Sequence, residues 1–64
     1  MKCWKKTKDN SKNIIYEKKD SKEYVAVEKD KGVYYGIVNG FSKDFDTKKE
    51  AVAHIRRYMK RKTC

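Results

Sequence analysis

Sixty-four residues suffice for one domain with one small core. A chain this short leaves little room for an enclosed small-molecule pocket of about 300–1,000 Å³, which counts against an enzyme. The formal net charge is +9 and charged residues make up 42% of the chain, while five Tyr, two Phe, one Trp and a patterned set of apolar positions argue against disorder. Like charges in a compact body repel, and a polyanionic partner would relieve that repulsion.

Residues 1–12, MKCWKKTKDNSK, hold five Lys and little apolar periodicity. They are expected to be a mobile basic arm preceding a single domain over 13–64, with Trp4 packed back onto the domain edge. No apolar run follows MKCWKK, and GVYYGIV is far too short to cross a bilayer, so a cytoplasmic protein without membrane contact is expected. Cys3 and Cys64 form no CxxC pair and have no His at ligand spacing, so no metal site is expected. Two free thiols are expected in a reducing cytosol. A Cys3–Cys64 bridge is the alternative should the termini meet.

Residues 13–17, NIIYE, are β-branched and aromatic and predict a short strand. EYVAVEK (23–29) alternates, and VYYGIVN (33–39) predicts another strand. A three-residue loop ending at Gly32 would set Lys29 opposite Val33, Val27 opposite Tyr35 and Val25 opposite Ile37. One face would then carry Val25, Val27, Val33, Tyr35 and Ile37 as core. The other would carry Tyr24, Ala26, Glu28, Tyr34, Gly36 and Val38. Asn39-Gly40 is the strongest hairpin signal and leads into FSKDF (41–45). A strict two-residue turn places Phe41 and Phe45 on the Tyr34 face, and a longer one places them in the core. The core is preferred for Phe45.

FDTKKEAVAHIRRYMKRK (45–62) predicts a helix. Thr47 and Glu50 make a capping box, and Asp46 adds favourable charge at the start. Ala51, Val52, Ile55, Tyr58 and Met59 form an apolar stripe. Lys60, Arg61 and Lys62 suit the negative end of the helix dipole, but that effect acts only in the last turn and leaves the other cations unexplained. The expected fold is α+β: a three- or four-stranded antiparallel sheet packed on one C-terminal α-helix.

Catalytic material is sparse. His54 is the single His and flanks the apolar stripe, where it reads as a boundary residue, and the carboxylates are interleaved with Lys as on a solvated surface. No catalytic residue and no cofactor are expected. Nucleic-acid binding has better material. Arg56, Arg57 and Arg61, with Lys60, lie on the helix; Lys29 and Lys31 lie at the hairpin loop; Lys43 precedes the helix; Lys5 and Lys6 lie on the arm. Such residues supply phosphate contacts, and Arg is the better bidentate partner. Tyr24 and Tyr34 on an exposed sheet face could stack on unpaired bases, or be an ordinary half-buried face.

Phe45, Asp46, Thr47, Glu50 and Ala51 match the F-D-T-x-x-E-A step into the helix of a known architecture. The segment from Tyr24 to Tyr58 resembles the three-stranded-sheet-plus-helix domains at the amino end of phage and transposon integrases and in plant ethylene-response factors. That resemblance implies duplex DNA read by a sheet in the major groove, with Tyr24, Ala26, Glu28, Tyr34 and Gly36 facing it. Those sheets usually present Arg, and the strands predicted here have none. Tyr24-Ala26-Val27, Gly32-Val33-Tyr34, Gly40-Phe41 and Phe45-Thr47-Glu50-Ala51 are also similar to the hybrid-binding domain of ribonuclease H enzymes, whose middle helix this chain lacks. The expected function is a non-enzymatic nucleic-acid-binding module, with duplex DNA favoured. The alternative is a small interaction or inhibitor protein, of phage or plasmid origin, docking on an acidic protein surface through Tyr24, Tyr34 and Val38.

Overall fold

The structure is a computed structural model, and it describes residues 3–63. Five strands run in chain order: β1 (Trp4–Asp9), β2 (Asn13–Lys18), β3 (Tyr24–Asp30), β4 (Val33–Val38) and β5 (Phe41–Phe45). One helix, α1 (Lys48–Arg61), follows. Every neighbouring pair of strands is antiparallel, and the sheet order is β1-β2-β3-β4-β5. The class is α+β as expected, with five strands rather than three or four.

The extra strand comes from the segment expected as an arm. Its sequence, WKKTKD, has one apolar residue, so no alternation announces it. Trp4 holds it in place. The indole is buried, donates from Nε1 to the Lys62 carbonyl at 3.3 Å, and meets Tyr58 edge-on at 6.2 Å. Trp4 thus packs onto the domain, and the two ends of the described chain meet. Cys3 is disulfide-bonded, which corrects the expectation of a free thiol there. Cys64 lies outside the described residues.

The β3–β4 register differs from the expected one by a residue. Lys31 and Gly32 both have positive φ, at 51° and 79°, and form a two-residue turn that leaves Asp30 paired with Val33. Two positive-φ residues match the twist of the flanking strands, which a three-residue loop was not needed to supply. Val25 therefore lies opposite Val38, Val27 opposite Gly36 and Lys29 opposite Tyr34. Tyr34, Gly36 and Val38 move to the core face, and Val33, Tyr35 and Ile37 move to the open face. Asn39 and Gly40, at 50° and 91°, make the second tight turn and set Phe45 opposite Tyr34 and Phe41 opposite Val38. With the first register corrected, the Tyr34 face is the core face, so Phe45 lies against the core.

The helix forms as the capping residues dictate. The Glu50 backbone N–H donates to Thr47 Oγ1 at 3.2 Å, and the Thr47 hydroxyl donates to the Glu50 carboxylate at 3.0 Å. Ala51, Ile55 and Met59 are fully buried against Val25, Val27 and Trp4, with Val52 and Tyr58 half-buried beside them. The helix packs over Gly36, which is buried. A Cβ there would lie 3.0 Å from His54 Cδ2, 3.0 Å from Phe45 Cε2 and 3.4 Å from the Ala51 carbonyl. Gly36→Ala should therefore force the His54 and Phe45 rings to shift by a few tenths of an ångström and cost up to about 1–3 kcal/mol. Denaturant unfolding checks this, and an unchanged midpoint would mean that the two rings yield without loss of packing.

Candidate functional site

The charge of the molecule is unevenly placed. Residues 47–64 hold seven of the eighteen Lys and Arg and one of the nine Asp and Glu. The ion pairs among the described residues are Lys6–Asp9, Lys18–Asp20 and Lys18–Glu23, and none uses a cation of α1. The helix thus presents an exposed positive surface whose cations form no ion pair among the described residues. The opposite, open face of the sheet differs. Strand pairing sets Ile15, Ala26 and Ile37 in one row across it, with Glu17, Glu28, Asp30 and Asp44 around them and Lys5 and Lys8 at the β1 edge.

The cations named from the sequence fall into separate groups. Lys43 from β5 and Arg57, Lys60 and Arg61 from α1 converge on one open cleft, whose apolar lining is Val38, Phe41 and Tyr58. Phe41 is 82% exposed. Lys43 Nζ also lies 5.7 Å from the Phe45 ring centroid, on the same side of the sheet. Arg56 points along the outer side of the helix with Lys48 and Lys49. Lys29 lies with Lys12 and Lys48 by the helix start, its Nζ 5.4 Å from the Tyr34 ring centroid. Lys31 sits in the tight turn. Lys5 and Lys6 are on β1, away from the cleft; Lys6 pairs with Asp9 at 3.0 Å and lies 5.6 Å from the Tyr16 ring centroid.

The two tyrosines do not share a face, as the corrected register requires. Tyr24 is on the open face and Tyr34 packs against the core. Val38 also lies on the core side, so the expected Tyr24/Tyr34/Val38 patch does not form. The residues that sequence reasoning missed are Phe41, Val38 and Tyr58 as cleft lining. Two consecutive two-residue turns, had both been read that way, would have put Phe41 beside the helix.

One polar network fixes Tyr58 of the cleft lining. The Tyr58 hydroxyl donates to Glu23, Asn39 Nδ2 donates to the Tyr58 hydroxyl at 2.9 Å, and the Tyr24 backbone N–H donates to Asn39 Oδ1 at 2.8 Å. The hydrogen bond from Tyr58 holds the Glu23 carboxyl below its ordinary pKa of 4.5. His54 lies at the cleft wall against Phe45, with ring centroids 5.2 Å apart. Burial, with Lys43 and Arg57 nearby, holds its imidazole below the ordinary 6.5.

Both groups bind a proton more weakly when folded, so both contribute stability above their ordinary pKa and lose it as pH falls through the folded value. Acidification should lower Tm in two stages, one starting near pH 6.5 from His54 and one near pH 4.5 from Glu23. His54→Gln should remove the upper stage, and Tyr58→Phe should weaken the lower one. A pH series of thermal melts tests this, and a single unaltered stage in both variants would contradict it.

Among the described residues no group of three or more His, Cys, Asp or Glu could hold a metal ion, and no helix is long and apolar enough to cross a membrane. No protein-family model matches the chain, and no curated protein or solved structure matches it either.

Proposed function

We propose that the chain is a non-enzymatic nucleic-acid-binding module that grips the phosphate backbone with the outer surface of α1 and its β5 flank. The observation that carries this reading is the set of exposed helix cations, Arg56, Arg57, Lys60 and Arg61, none in an ion pair among the described residues, extended onto the sheet by Lys43. A basic patch on one face is the electrostatic footprint of phosphate binding. A sheet-in-groove mode, which the resemblance to integrase and ethylene-response domains implied, would bring Glu17, Glu28, Asp30 and Asp44 towards phosphates. Like-sign repulsion disfavours that face, so the helix side is the contact surface in this reading.

Backbone amide shifts on titration with a short oligonucleotide test the reading. Perturbations should concentrate on residues 43 and 53–62. Perturbations centred on Ile15, Ala26 and Ile37 would contradict it. Docking on an acidic protein surface is the second reading, favoured by the exposure of Phe41 within the same basic rim.

A further inference from the structure

We infer that the cleft between β5 and α1 takes an unpaired nucleobase stacked on Phe41, so that the module selects single-stranded or locally opened nucleic acid. The inference rests on the nucleic-acid reading above and adds the class of ligand.

Phe41 opens β5 immediately after the Asn39-Gly40 turn, on the edge strand of the sheet. Its ring is 82% exposed, although its strand position directs it to the helix side. The tight turn fixes this. With Asn39 and Gly40 both at positive φ, Phe41 pairs with Val38 and must point as Val38 does. Val38 lies against the core, but Phe41, one strand further out, overhangs the flank of the helix. The result is an aromatic face with an apolar neighbour on one side and Lys43, Arg57, Lys60 and Arg61 around it.

That pairing of a flat apolar platform with surrounding cations is what a nucleotide needs. The base offers a π-face that any sequence shares, and its phosphates take the cations. An apolar ligand would leave four charges unused, and a bare polyanion would leave the ring in water. In a duplex the bases are already stacked on each other, so the ring finds only edges and sugars. The Tyr58–Glu23–Asn39 network holds the turn and the helix end in fixed relation, so the platform is formed before binding.

The test uses fluorescence anisotropy with a labelled single strand of about twelve nucleotides and a labelled duplex of the same length, within the range of known single-strand site sizes. Wild type, Phe41→Ala, Phe41→Leu and Phe41→Trp are compared, with thermal melts confirming that each variant folds. Phe41→Ala should lose about 5- to 150-fold in single-strand affinity, as expected for removing one stacked base. Phe41→Trp should retain it, and duplex affinity should be unchanged by all three. Wild-type affinity of Phe41→Leu would overturn stacking in favour of plain apolar contact. Equal single-strand affinity of Phe41→Ala and wild type, with salt-dependent binding intact, would overturn this inference and leave the helix reading standing. Binding of neither probe at low salt would overturn both.

Discussion

Trp4→Ala should lower the unfolding free energy by about 3–5 kcal/mol, the range for removing a large buried aromatic. Trp4 closes the core end where Met59 and Tyr58 leave the helix, and its indole N–H supplies a partner for the Lys62 carbonyl. Nothing else on β1 is buried apart from Trp4, since the other five residues of the strand are exposed. Losing it should open a cavity and loosen β1, whose first end stays tethered by the Cys3 disulfide. A domain of this size has a total stability of about 3–10 kcal/mol at about 0.05–0.15 kcal/mol per residue. The variant should therefore lie near the edge of folding, with Tm lowered by at least about 12 °C at about 4 °C per kcal/mol. Trp4→Phe keeps most of the apolar area and loses the hydrogen bond, so it should cost much less. Thermal melts of the two variants check this. Equal small losses would mean that β1 is dispensable to the core.

Removing Arg56, Arg57 and Arg61 together should weaken nucleic-acid binding on the order of 100-fold at about 0.1 M salt. Each phosphate contact releases close to one counterion, so the salt slope should shrink by about two to three units. Stability should change little. All three side chains are exposed, none pairs with an acidic residue among the described residues, and only Arg61 lies in the last turn, where a cation aids the helix end. That small loss is offset by a net charge reduced from +9, which relieves self-repulsion. Anisotropy titrations of the variant beside the parent, with melts as control, read both effects. An unchanged slope would remove the helix from the contact surface.

The helix was legible in the sequence because three local signals agree over one stretch: the Thr47/Glu50 cap, the Ala51-Ile55-Met59 stripe and the terminal cations. The strands β2 to β5 were legible for the same reason, with alternation and turn residues pointing one way. Register was not. It depends on whether Lys31 takes a positive φ, a choice that a lysine makes only under the twist of the strands around it. That single residue decides whether Tyr34, Gly36 and Val38 meet the helix or solvent, and with them whether Phe41 belongs to the cleft. β1 was hidden for a different reason. An edge strand of WKKTKD needs only one apolar anchor, and the burial of Trp4 is a tertiary event that no period-two pattern records. The cations of α1 were visible as a list, but their convergence with Lys43 follows only from the packing of the helix across β3, β4 and β5.

Titrating labelled single-stranded and duplex oligonucleotides against the protein over a series of salt concentrations tests the central claim most directly. Binding through the helix cations predicts an affinity that falls linearly in log–log form with salt, by about 0.7–0.9 decades per tenfold rise in salt for each phosphate held. Absence of binding at low salt, or binding insensitive to salt, would contradict a phosphate-gripping surface and leave the positive face to a protein partner.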